Sequence, residues 1–181
     1  MSKRRFRPTD AFVDESIRGQ RYWMSCVFVE VRSLAALRAE TAALASKGKR
    51  RHFSHDTVEQ RRVALNVFSG FPVKALVVVC NRTHGVTEFA ARNACWSEIV
   101  RSVQAAGVER LKIESRQDDS DDRRTVQRVR TAEPVMVFEH VAPMLEPLLW
   151  VADAVAWAAG GGVAWRALID PIVSEVVSVR P

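Results

Sequence analysis

Apolar and polar residues alternate over 10–17, the period-two signature of a strand, and the run Ala11-Phe12-Val13 closes on Asp14-Glu15-Ser16. Gly19 supplies a turn, and 22–31 reads as the hairpin partner. Behind Ser33, a good N-cap residue, the spacing of Leu34, Leu37, Thr41 and Leu44 predicts one helix face over 34–46. A basic stretch, 47–51, interrupts the pattern. His52-Phe53-Ser54-His55 reads as extended, and a second helix is expected over 56–69, ending near Gly70. The run 72–80 is β-branched with almost no polar alternation, which suits a central strand covered on both faces.

The second half alternates more regularly. A helix is predicted over 87–106, closed by Gly107, then a strand over 110–115. Residues 118–130 read as an exposed, charged helix whose acids precede its arginines, as the helix dipole favours. A strand follows over 134–141, and Pro147 opens a Trp-rich apolar helix that breaks at Gly160-Gly161-Gly162 before a second short helix. The order β-β-α-α-β-α-β-α-β-α predicts a mixed sheet flanked by helices. It forms one α/β domain over 10–181, behind a basic flexible tail at 1–9.

Three acids interrupt this pattern where packing gives them no purpose. Asp14 closes Ala11-Phe12-Val13, Glu114 closes Leu111-Lys112-Ile113, and Asp153 sits inside the apolar helix with apolar neighbours on every side. A carboxylate in such surroundings is costly to desolvate unless it is paired or binds a cation. Hard oxygen donors of this kind suit magnesium or manganese. Two-metal phosphoryl transfer needs such carboxylates to converge. Asp14, Glu114 and Asp153 are therefore the candidate metal ligands. Glu15 is a weaker candidate, because in a continuing strand it points to the opposite face from Asp14. Glu146 and Asp153, seven residues apart, would share a helix face, although Glu146 precedes Pro147 and can serve simply as a cap. Glu139 and His140, at the end of an apolar strand, could join the same rim.

Composition narrows the class. The 181 residues fit one domain with a proper core, and 48% hydrophobic content excludes a disordered chain. A net charge of +6 favours a polyanionic partner, nucleic acid above all. Cys26, Cys80 and Cys95 form no C-x-x-C pair and are odd in number, which points to a reducing, cytoplasmic setting and to core packing. The basic N-terminus lacks an apolar segment behind it and does not read as a signal peptide. Asp153 in the most apolar stretch argues against a membrane span.

His52 and His55 lie among Arg50, Arg51, Arg61 and Arg62. Zinc would need more ligands than these supply. A histidine beside phosphate-binding arginines could instead orient water or donate a proton, which makes His52 a candidate catalytic residue. The tail and 47–51 could contact phosphates irrespective of sequence. Trp150 and Trp157, at i and i+7, read as a buried stripe and not as base-stacking platforms.

Taken in order, Phe12-Val13-Asp14-Glu15-Ser16, Leu111-Lys112-Ile113-Glu114-Ser115-Arg116 and the helix from Glu146-Pro147 through Asp153 to Trp157 resemble a broad bacterial family with a ribonuclease-H-like fold. His52-Phe53 followed by Arg61-Arg62-Val63-Ala64-Leu65 is similar to one branch of it. The resemblance runs over about 10–177. It implies a five-stranded mixed sheet, with 134–141 an extra or terminal strand that could make six, and a meander of the first three strands. It also implies a carboxylate metal site and a nuclease or related phosphoryl-transfer activity on nucleic acid. An inactive, ribonuclease-H-like binding module is the alternative. The chain carries Glu114 where many relatives have Asp, and no fourth acid clearly replaces the one many relatives carry after the first helix.

Overall fold

A computed structural model describes residues 5–45, 53–83, 85–116 and 119–181. The expected helices and strands form except at the segment after the basic stretch, and one strand is added. Strands β1 (Asp10–Arg18) and β2 (Arg21–Val29) make an antiparallel hairpin around Gly19, whose φ of 57° lies in the left-handed region that glycine tolerates. Helix α1 (Leu34–Ala43) buries Leu34, Leu37 and Thr41, three of the four residues of the expected face. The segment expected to be extended after the basic stretch is instead a 3-10 turn, Phe53–His55, which drives Phe53 into the core. Helix α2 (Val58–Ser69) is opened by a reciprocal capping box between Thr57 and Gln60.

Strand β3 (Lys74–Asn81) is buried on both faces, as its β-branched run requires. Helix α3 (Glu88–Ala105) is capped by the Thr87 hydroxyl. Strand β4 (Arg110–Glu114), helix α4 (Asp119–Val129) and strand β5 (Val137–Val141) follow, then α5 (Leu148–Gly160) and the single turn α6 (Val163–Arg166). The addition is β6 (Val173–Val179), which pairs parallel with β3.

The sheet order is β5-β4-β1-β2-β3-β6. Strands β1, β2 and β3 form an antiparallel meander, and β4 and β5 run parallel to β1. This six-stranded mixed sheet flanked by helices has ribonuclease-H-like topology. The third meander strand is β3, and β5, within the expected 134–141, is the fifth strand.

Strand alternation divides the core in two. Phe12, Val27, Val77 and Val79 face α1, α2 and α5, while Val13, Met24, Leu76 and Val78 face α3 and α4. Each fully buried large apolar side chain contributes roughly 1.5–3 kcal/mol. Helix α5 is apolar on nearly every side because it lies directly on β1 and β2. Its position is set by polar and steric contacts as well as by apolar burial. The Ser25 hydroxyl of β2 donates to the Ala152 carbonyl at 2.7 Å. At its end, a Cβ on Gly160 would lie 2.7 Å from Cγ of Arg18 and 3.1 Å from the Trp23 indole nitrogen, so glycine permits the close approach. Trp150 and Trp157 are buried, as their spacing predicted. Cys26, Cys80 and Cys95 are free and buried, and burial pushes each thiol pKa upward.

Candidate metal centre

Strand β1 runs four residues beyond Asp14, so Asp14 sits inside a strand and not at its end. Its side chain shares the face of Phe12, toward α5. Asp153 projects from α5, and Glu114 ends β4, the parallel neighbour of β1. Asp14 is only 5% exposed. Burial holds its pKa well above the ordinary carboxylate range, and the charges of Asp153 and Glu114 raise it further, as does a side-chain hydrogen bond with Glu114. The fold thus brings together three acids that are far apart in sequence.

Arg116, two residues past Glu114, supplies the counter-charge. Its Nη2 donates to Asp14 Oδ1 at 2.6 Å and lies 3.5 Å from Glu114, while its Nη1 donates to Glu15 at 2.7 Å. Burial alone would lower the Arg116 pKa, but Asp14, Glu15 and Glu114 drive it upward. The Asp153 carboxylate accepts the backbone N–H of Phe53 at 2.9 Å, which ties the 3-10 turn to α5. A cleft of about 520 Å³ opens beside the cluster, lined by Ser16, Ile17, Ser54, Ser115, Arg116 and Asp153 among others.

Glu15 points to the other face, as expected for a continuing strand. It accepts the Tyr22 hydroxyl, Nε of Arg92 at 3.1 Å, and Arg116. His52 lies outside the described residues, as do His84 and the 47–51 cluster. Glu146 is a structural acid. Only 2% exposed, it takes a bidentate pair from Arg38 and a contact from Lys112 at 3.1 Å, and it also accepts the Leu148 N–H at the start of α5. Burial works against its ionisation, but the hydrogen bonds from Arg38 and Lys112 prevail and hold its pKa below the ordinary value. The same applies to buried Asp10, gripped by Arg110 through two bonds of 2.7 and 2.8 Å.

A second polar centre was not anticipated. Asp119 and Asp122, in the first turn of α4, meet His140 of β5 with one ligand atom from each within 4.8 Å of the others. Among the described residues this is the one set of three such atoms so closely grouped, and the carboxylates of Asp14, Glu114 and Asp153 do not all fall within that distance. Helix α4 is therefore not merely an exposed helix: Asp122 is 1% exposed and pairs with Arg92 at 3.0 Å. The signal was present in the sequence, because Asp122 continues the stripe of Val126 and Val129 toward the helix start. It was masked by the conventional role of acids in a first turn.

The rim toward α2 is basic and aromatic. Arg18 and Arg61 stack on Trp157, with guanidinium carbons 4.3 and 4.5 Å from the ring centroid. Trp157 lies one turn beyond Asp153 on α5. Arg61 also donates to the carbonyls of Phe53 and Ser54, so it braces the turn that holds Asp153. Among the described residues no helix is long and apolar enough to cross a membrane.

No protein-family model matches this chain, and no curated protein matches it significantly. The ribonuclease-H-like assignment therefore stands on topology.

Proposed function

We propose that the protein is a magnesium- or manganese-dependent hydrolase of nucleic-acid phosphodiesters, with Asp14, Glu114 and Asp153 as the cation ligands. The observation that carries this reading is geometric: the buried Asp14 carboxylate shares Arg116 with Glu114, and Glu114 and Asp153 line the same cleft. A cluster of three hard oxygen donors with excess negative charge fits a divalent cation in charge and donor type. When bound, such a cation supplies a metal-activated water and stabilises the leaving oxygen.

The chain's own residues would then have distinct tasks. Asp153 is oriented by the Phe53 N–H, and Arg61 braces that turn from outside. Glu15, through Arg116, would set how deeply the guanidinium enters the acid cluster. Arg18 and Arg61 would hold backbone phosphate at the rim, and the net charge of +6 favours approach of a polyanion. His52 would assist in proton transfer.

The test is cleavage of labelled single-stranded, double-stranded and hybrid substrates with magnesium or manganese. Wild type should cleave at least one of them, and a folded Asp14→Asn protein should lose the metal-dependent activity. Undiminished cleavage by that variant would sink the assignment.

One observation favours a second reading, a non-hydrolytic binding module. Arg116 already neutralises Asp14 and Glu114, as a metal otherwise would. On that reading magnesium and manganese leave the melting temperature unchanged, and nucleic-acid binding survives substitution of all three acids.

A further inference from the structure

We propose that Asp119, Asp122 and His140 form a separate cation site for a transition ion of the zinc or cobalt class, outside the Asp14, Glu114 and Asp153 cluster. The inference does not depend on the nuclease reading. His140 carries it. Its side chain is only 2% exposed, yet neither ring nitrogen has a hydrogen-bond partner. Buried polar groups in folded proteins are almost always satisfied, so such an imidazole calls for an explanation.

The spacing supplies one. The His140 Nε2 atom lies 3.5 Å from Asp122 Oδ2 and 3.8 Å from Asp119 Oδ1. Both separations exceed a normal N–H···O bond. Two donors bound to one tetrahedral ion at about 2.0–2.1 Å stand roughly 3.4 Å apart. Both separations are close to that ligand-to-ligand spacing, and one ligand atom from each of the three groups lies within 4.8 Å of the others. An imidazole with two carboxylates favours zinc, cobalt or nickel over magnesium, because the nitrogen donor is softer than oxygen.

The surroundings fit a built site. The Asp122 carboxylate is oriented by Nη2 of Arg92 at 3.0 Å. The Asp119 carboxylate accepts the Ser115 hydroxyl at 2.8 Å and the Arg116 backbone N–H at 2.7 Å. Such outer partners fix the direction of metal-binding carboxylates. The position, beside the carboxyl ends of parallel β4 and β5, is where open α/β sheets place ligands. An ion there would clamp the start of α4 to β5.

The experiment is titration of the full chain with cobalt(II), followed by its visible absorption, and with zinc, followed by melting temperature. Wild type should show the intense bands of low-coordinate cobalt at one equivalent and a zinc-dependent rise in Tm. Asp153→Ala should keep both. His140→Gln should lose the bands and weaken zinc binding at least tenfold. If His140→Gln does not fold, Asp119→Asn, at a partly exposed carboxylate, should give the same loss. The proposal is overturned by a wild-type protein without cobalt bands, by bands unchanged in the folded variants, or by bands that vanish in Asp153→Ala. The last result would assign the ion to the central acids. None of these readouts uses cleavage, so failure here is distinct from failure of the nuclease reading.

Discussion

Replacing Asp14 with asparagine should stabilise the metal-free protein while removing its activity. The carboxyl is buried beside Asp153 and Glu114, and its folded pKa is raised first by burial and then by those charges. Relief of such a site is commonly worth about 0.5–2 kcal/mol. The loss of the Arg116 ion pair opposes this only in part, because the Asp14 pKa is raised despite that guanidinium, and an asparagine amide oxygen can still accept its N–H. A net gain of roughly 1 kcal/mol corresponds to about 2–4 °C in Tm for a domain of this size. The sign also depends on pH. For an acid with a raised folded pKa, the stabilising contribution is complete below the unfolded value of about 3.9 and is lost as pH rises through the folded value. The asparagine variant has no such loss, so its advantage should be small near pH 4 and widen toward neutrality. Thermal melts of both proteins in chelator across this range measure the difference. An advantage that does not grow with pH, or a less stable variant at neutral pH, would refute the electrostatic account of the cluster.

Further outcomes follow from the neighbouring charges. Glu146→Gln should cost about 2–3 kcal/mol in urea denaturation. Breaking a fully buried pair costs about 3–5 kcal/mol, but Arg38, at 35% side-chain exposure, can recover water. Asp10 and Glu146 both have folded pKa values held down by their cationic partners, so their stabilisation is present above the unfolded values of about 3.9 and 4.3 and fades as pH falls through the folded ones. Acid titrations of Asp10→Asn and Glu146→Gln should each show a shallower loss of stability than wild type over that window. Arg116→Ala should lower Tm in chelator and enlarge the rise produced by magnesium or manganese, because the cation no longer competes with a guanidinium; an unchanged metal response would show that Arg116 does not guard the acids.

The order of apolar periods already predicted the hairpin, the doubly buried third strand, the helix capped at Thr87 and the apolar helix, because each is a local pattern long enough to read. The β6 strand escaped because it is a half-exposed edge strand: Val173, Val177 and Val179 are only partly buried, and Val176 is exposed. The turn at Phe53 escaped for a different reason. Its conformation is set by Asp153, a hundred residues away, accepting the Phe53 N–H.

The site divides in the same way. Asp14, Glu114 and Asp153 could be singled out from sequence, since an acid flanked by apolar residues is costly wherever the chain puts it. Sequence also determined that Glu15 faces away from Asp14, because strand alternation is a local rule. Only the tertiary structure decided that Arg116 holds two of the central acids, and that Asp122 and His140 meet at the edge of the sheet. Those facts depend on the parallel placement of β4 beside β1 and of β5 beside β4, and on α5 lying across the meander. Such placements are set by long-range packing, to which hydrophobic periodicity is blind once the elements themselves are specified.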